Sequence, residues 1–142
     1  MRRMAVGALA ALVLGVAGCE LVTGLDGGPR LAYITGYDDD DPHVTVPATA
    51  QAGLAFTVRV RTYGGGCVSQ GNTHVFLESA MATIMPYDRH SGAEACTQEL
   101  ELFEHAVDLT FDEPGIAHVT VRGREGGSDD TVTFTYEVEV QP

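Results

Sequence analysis

The sequence predicts an all-β fold: an antiparallel β-sandwich of about seven to nine short strands. Three observations carry this expectation. From residue 31 onward, apolar and polar residues alternate with a period of two, which places every second side chain on one face of a strand. Clusters of Gly, Pro, Asp and Ser interrupt the alternation at short intervals, as turns do. Beyond the first 18 residues no stretch has the 3.6-residue apolar period of an amphipathic helix.

Taken in chain order, short apolar-rich pieces at 31–35 and 43–46 come first, separated by a turn at 38–42. Phe56, Val58 and Val60 then alternate with Thr57, Arg59 and Arg61, and glycines at 64–66 end that strand. Pieces at 74–78 and 82–85 fit the same pattern, followed by Ser91-Gly92 as a turn. The segment 97–111 is less regular. Leu100 and Leu102 fall on even positions, whereas Val107, Leu109 and Phe111 fall on odd ones. A one-residue slip near Glu104 and His105 is therefore expected, as a bulge or as a turn between two strands. Glu113-Pro114-Gly115 is a turn, after which Ala117, Val119 and Val121 oppose His118, Thr120 and Arg122. A turn at 126–130 leads to the clearest strand of all. There Val132, Phe134, Tyr136, Val138 and Val140 alternate with Thr131, Thr133, Thr135, Glu137 and Glu139.

The stretches "PATAQAGLAFTVRVRTYG" and "LTFDEPGIAHVTVRG" resemble the opening strand pair and a late corner of bacterial immunoglobulin-like domains. The resemblance covers most of residues 43–140 and implies an immunoglobulin-like sandwich. Two features depart from it: the chain has no Trp, and its cysteines do not sit at the strand positions of antibody domains.

The N-terminus follows a different logic. Arg2 and Arg3 precede an uncharged apolar segment of 14 residues, 4–17, shorter than the ~20 residues a spanning helix needs. This is the plan of a secretory signal. The adjacent arginines raise the twin-arginine route, but Met4-Ala5 follows where that route has its own signature. Val16-Ala17-Gly18-Cys19 resembles the lipobox of bacterial lipoproteins, an aliphatic residue and two small ones before a cysteine. The resemblance implies a diacylglyceryl thioether on Cys19, cleavage after Gly18 and acylation of the new N-terminus, against the simpler alternative of an ordinary signal peptide. Two or three acyl chains make membrane attachment effectively stable, where one does not. Glu20 stands where the family's inner-membrane retention signal has Asp, so the implied destination is the outer membrane.

The expected organisation is a lipoprotein signal peptide at 1–18, a lipidated cysteine and flexible tether at 19–30, and a β-sandwich at 31–142. "ELVTGLDGGP", residues 20–29, is Gly-rich and without periodicity. Ten residues reach at most ~35 Å when extended and ~17 Å as a coil, so the domain is expected close to the bilayer.

Charge excludes some functions. Lysine is absent, and from residue 19 onward six arginines face 20 carboxylates, a formal charge of −14. Such a body repels phosphate backbones and anionic lipid headgroups, which argues against nucleic acid and leaves covalent lipid as the membrane attachment.

With Cys19 assigned to lipid, Cys67 and Cys96 remain, and an even pair in an exported domain is expected to form a disulfide. It closes a loop of 30 residues, for which the chain-entropy estimate is ~3.6 kcal/mol. A reactive or metal-bound thiol is the alternative, without a C-x-x-C motif or a local Cys-His cluster to favour it.

Other motifs carry less. "TYGGGC" has the glycines of a phosphate loop but neither its lysine nor a helix, so it is a turn. "DDDD", Asp38, Asp39, Asp40 and Asp41, is either a solvated loop or a weak calcium site joined by Glu125, Asp129 or Asp130. Counted from Asp38, His43 stands at the turn-glycine position of a calcium loop and Thr49 at its closing glutamate. The histidines at 43, 74, 90, 105 and 118 raise copper or zinc. "FDEPG" is similar to a cupredoxin corner, but no Cys or Met follows Phe111 to complete that ligand set. Met81, Met85 and His90 are a possible soft copper set, or core packing. "RHSGAE" lacks the elbow and oxyanion loop of a serine hydrolase.

The expectation is thus a lipid-anchored envelope protein whose sandwich is a non-catalytic binding or structural accessory module with an unidentified envelope partner. The acidic loops favour a cationic partner or a divalent ion. A divalent-metal module, for calcium or copper, and a small hydrolase are the alternatives.

Overall fold

The computed structural model describes residues 27–142. Among them 63% lie in strands and none in a helix, so the fold class is all-β. Ten strands follow one another: β1 (Pro29–Leu31), β2 (Tyr33–Thr35), β3 (Val44–Thr45), β4 (Thr49–Gln51), β5 (Phe56–Gly64), β6 (Val68–Glu78), β7 (Met81–His90), β8 (Glu101–Leu109), β9 (Gly115–Glu125) and β10 (Thr131–Gln141). The signal segment, Cys19 and most of the tether lie outside the described residues; the tether's last residues, Pro29 and Arg30, already pair with β7.

Long strands form where the alternation is cleanest. β9 and β10 pair antiparallel over ten positions, from Thr131 opposite Arg124 to Val140 opposite Gly115. β5 and β8 pair antiparallel from Phe56 opposite Leu109 to Gly64 opposite Glu101. β9 also pairs along its other edge with β7 and then with β2, while β7 pairs with β6 and β1. β3 joins β5, and β4 joins β10. Tyr33 of β2 opposes both Tyr63 of β5 and Arg124 of β9, so this three-residue strand is the corner between the two groups.

Val58 and Val60 of β5, Val107 and Leu109 of β8, Ile84 of β7, Val119 and Val121 of β9 and Val138 of β10 share one buried cluster. A single core drawn from both groups means that they pack face to face as two layers. Each such aliphatic side chain contributes about 1.5–3 kcal/mol by leaving water.

Two sequence expectations are corrected. Pairing is mixed rather than antiparallel: β2–β9, β7–β9 and β4–β10 run parallel. These contacts join strands far apart in the chain, which local alternation does not specify. Secondly, no slip or turn divides 97–111. β8 is one strand in continuous register with β5. Phe103, His105, Val107 and Leu109 all point inward, while Leu100 and Leu102 are 59% and 46% exposed. The apparent phase change arose because a buried histidine occupies the inward site and two leucines face water. Strand structure begins at Glu101, so Cys96 lies in the preceding loop.

The Cys67–Cys96 disulfide is present, with Cα atoms 5.2 Å apart. It fastens the 91–100 segment to the glycine turn after β5. Gly65 has φ +107°, and a Cβ there would lie 2.3 Å from the Glu99 carbonyl oxygen, so the turn and this segment meet backbone to backbone.

Candidate functional site

One end of the sandwich gathers the polar loops because β2 brings three strand ends together. The backbone N–H of Gly126 donates to Thr35 O at 2.7 Å, joining the 126–130 turn to the start of the 36–43 loop. Between these loops stand three tyrosines. The Tyr37 ring lies 5.9 Å from Tyr33 and 4.8 Å from Tyr63, centroid to centroid. Tyr63 is buried, whereas Tyr37 is 46% exposed.

Each inner tyrosine is held by a carboxylate from a different acidic loop. Tyr63 donates its hydroxyl to Asp41 Oδ1, and Tyr33 donates to Asp129 Oδ1. Asp41 Oδ2 also accepts from the backbone N–H groups of Tyr37 and Asp38, at 3.0 and 2.8 Å. Burial alone would raise the Asp41 pKa, but the Tyr63, Tyr37 and Asp38 hydrogen bonds and the His43 charge outweigh it, holding the carboxyl below its usual range. Tyr63 moves the opposite way, first by burial and then because its partner is anionic. Arg124 donates to Asp129 at 3.0 Å and to Leu31 O at 2.6 Å, and its guanidinium lies 4.1 Å over the Tyr33 ring.

The tyrosines, Gly64, Gly65, Val68, Gln98, Glu99 and Leu100 enclose an open concavity of about 390 Å³. Its walls offer aromatic faces, Glu99 and the exposed Leu100, and Asp41, hydrogen-bonded to Tyr63, stands beside it. Aromatic faces together with carboxylates suit a cationic or flat polar group.

The sequence-predicted metal candidates fall at this end but do not converge. Asp38 and Asp41 face the turn's own backbone and His43, whose Nε2 lies 3.3 Å from Asp38 Oδ2. Asp129 is engaged by Tyr33 and Arg124, Glu125 accepts from Ser128, and Asp39, Asp40 and Asp130 are exposed. Met81, Met85 and His90 are spread along β7, with Met81 at the far end and 58% exposed, so they form neither a copper set nor a shared core position. Among the described residues, the one trio of ligand-type side chains with mutually close donor atoms is Cys67, His90 and Cys96, within 4.8 Å.

A second polar set lies inside the sandwich. Asp88 and His105 are 3% and 2% exposed. His105 Nδ1 is 2.7 Å from Thr73 Oγ1, and its Nε2 is 3.2 Å from Thr62 Oγ1 and 3.8 Å from Asp88 Oδ1. The Thr73 hydroxyl and the Asp88 carboxylate flank opposite ring nitrogens, the order of a nucleophile relay, but the Asp88 oxygen stands beyond hydrogen-bond distance of Nε2, and both His105 and Asp88 are buried. Neither Asp88 oxygen has a hydrogen-bond partner. Burial pushes its pKa up to about 7, against the pull of Arg124 and the nearby Thr62 hydroxyl, and burial pushes His105 down. Asp88 borders a cavity of about 50 Å³ with Arg30, Tyr33, Val68, His90 and Arg124, large enough for water.

Sequence reading missed both sets. The tyrosines lie at 33, 37 and 63, with no motif linking them. Asp88 was detectable as the fourth inward position of β7, after Ala82, Ile84 and Pro86.

No protein-family model, curated protein or solved structure matches the chain.

Proposed function

We infer that the chain is a lipid-anchored lipoprotein of the bacterial cell envelope, destined for the outer membrane, whose sandwich is a non-catalytic binding module. Its ligand is a basic segment of an envelope partner, engaged at the tyrosine-lined end. The observation that carries this reading is the concavity of about 390 Å³ walled by Tyr33, Tyr37 and Tyr63, in which two tyrosine hydroxyls are pinned by carboxylates of opposite acidic loops. Such pinning supports a preorganised aromatic surface, which lowers the ordering cost of binding. A Lys or Arg side chain laid over Tyr37 gains about 0.5–2 kcal/mol from the ring face and more from the surrounding negative field.

Anchoring rests on Val16-Ala17-Gly18-Cys19 and the charge balance. Cys19→Ser is expected to move the protein from the membrane fraction to the soluble one and abolish the lipid mass increment; retention of both contradicts the anchor. Binding is tested on the full chain with an arginine-rich peptide by calorimetry. Tyr37→Ala is expected to weaken association several-fold and added salt to weaken it further. Equal affinity for a glutamate-rich peptide contradicts the proposed ligand.

A further inference from the structure

We propose that Cys67, Cys96 and His90 form a metal site for a soft divalent ion of the zinc class, closed in the oxidised protein and opened by reduction of the disulfide. The three donors come from different segments: the turn after β5, the 91–100 loop and the end of β7. They already lie within 4.8 Å of one another. The cysteine Cα atoms are 5.2 Å apart, so both sulfurs can reach one ion at the ~2.3 Å of a metal–thiolate bond.

The scaffold around them does not depend on the disulfide alone. His90 N–H donates to Gly28 O at 3.2 Å, and Ser91 N–H donates to Cys67 O at 2.8 Å. Gly92 N–H donates to His90 Nδ1 at 3.0 Å and orients the ring. The Ala95 carbonyl oxygen, 3.5 Å from Cys67 Sγ, is a ready acceptor for the thiol. Cys96 is exposed and Cys67 and His90 half-buried, so both a reductant and an ion have access.

The chemistry balances with a dithiol as reductant. The dithiol supplies two electrons and two protons, its own sulfurs join, and the Cys67–Cys96 bond breaks to give two thiols. Ion binding then releases two thiol protons to solvent, leaving two thiolates and a neutral imidazole on a 2+ ion, with water in the fourth position. Thiolate and imidazole donors select zinc-class ions over calcium. The ion closes the same loop that the disulfide closed, so it is a reducing-condition substitute for the staple. His90 gives a specific signature. Ligation through Nδ1 displaces the Gly92 N–H directly; ligation through Nε2 moves the ring proton to Nδ1 and ends its role as acceptor. Both routes break that hydrogen bond.

The test uses the full chain carrying Cys19→Ser, so that the remaining thiols are Cys67 and Cys96. The protein is reduced with a phosphine, desalted without oxygen and titrated with Co²⁺ as the zinc probe. Thiolate-to-cobalt charge-transfer absorption is expected to saturate at one ion per chain in the reduced protein and to be absent from the oxidised one. The Gly92 amide resonance is expected to move on loading with Zn²⁺. His90→Gln keeps the disulfide, so its unchanged melting temperature when oxidised verifies folding; when reduced it is expected to bind Co²⁺ at least ~10-fold more weakly. A reduced chain with two titratable thiols and no charge-transfer band overturns the proposal. So does His90→Gln with unaltered affinity, or a Gly92 resonance that stays in place.

Discussion

Replacing Asp88 with Asn tests the buried polar set directly. The two side chains have nearly the same shape, but Asn does not ionise. Asp88 is 3% exposed, neither carboxylate oxygen is hydrogen-bonded, and its pKa rises from 3.8 to about 7 on folding. For an acid whose folded pKa is raised, both states are protonated well below pH 3.8 and nothing is lost there. As pH climbs from 4 to 7, the unfolded chain ionises while the folded one does not, and stability falls. The shift of about three pKa units, at 1.36 kcal/mol each, corresponds to a loss on the order of 4 kcal/mol by pH 7. At pH 5 the loss is about 1.7 kcal/mol by the same linkage. Asp88→Asn is therefore expected to be more stable than the parent at pH 7 by up to about 4 kcal/mol, with little difference at pH 4. The assay is guanidinium unfolding of both proteins at half-unit steps from pH 4 to 8, with equal denaturant slopes as the check on two-state behaviour. A variant that follows the parent's pH slope, or is less stable at pH 7, refutes the reasoning. His105 acts in the opposite sense. Its pKa is lowered by burial, so its contribution is intact above the unfolded value of 6.5 and is lost as pH falls below it.

Further expectations concern the packing. Leu102→Ser, at a 46% exposed site, is expected to cost no more than about 0.5 kcal/mol, whereas Phe103→Ala, at a 9% exposed one, should cost about 3–5 kcal/mol. Chemical denaturation ranks the two, and a reversed order would contradict the β8 register. Gly65→Ala introduces both a positive-φ strain and a Cβ 2.3 Å from the Glu99 oxygen. Its expected cost is about 1–3 kcal/mol, read as a lowered melting temperature; an unchanged one contradicts the close backbone approach.

Much of the fold was legible because water faces one side of most strands. β10 reads directly from Val132 to Val140, and β9 from Ala117 to Val121. Legibility failed where polarity and orientation part company. His105 occupies an inward position through hydrogen bonds to Thr62 and Thr73, and so broke the apparent period of β8. Asp88 ends the inward series of β7 as a carboxylate, which a hydropathy pattern reads as surface. The acidic loops were visible as charge, but not their use: Asp41 and Asp129 spend their oxygens on Tyr63, Tyr33, Arg124 and backbone N–H groups. The tyrosine-lined end depends on β2 bridging β5 and β9, pairings of residue 33 with 63 and 124 that no local window contains. His90 likewise joins the two cysteines only through the tertiary fold.

Amide and tyrosine resonances of the isotope-labelled full chain, followed during addition of an arginine-rich peptide, test the proposed binding surface most directly. Shifts confined to Tyr33, Tyr37, Tyr63, Gly65 and the 98–100 segment, and lost in Tyr37→Ala, are the expected result. An absence of shifts contradicts the proposal, as do shifts centred on Arg59 and Arg61 of β5 or scattered over the sandwich.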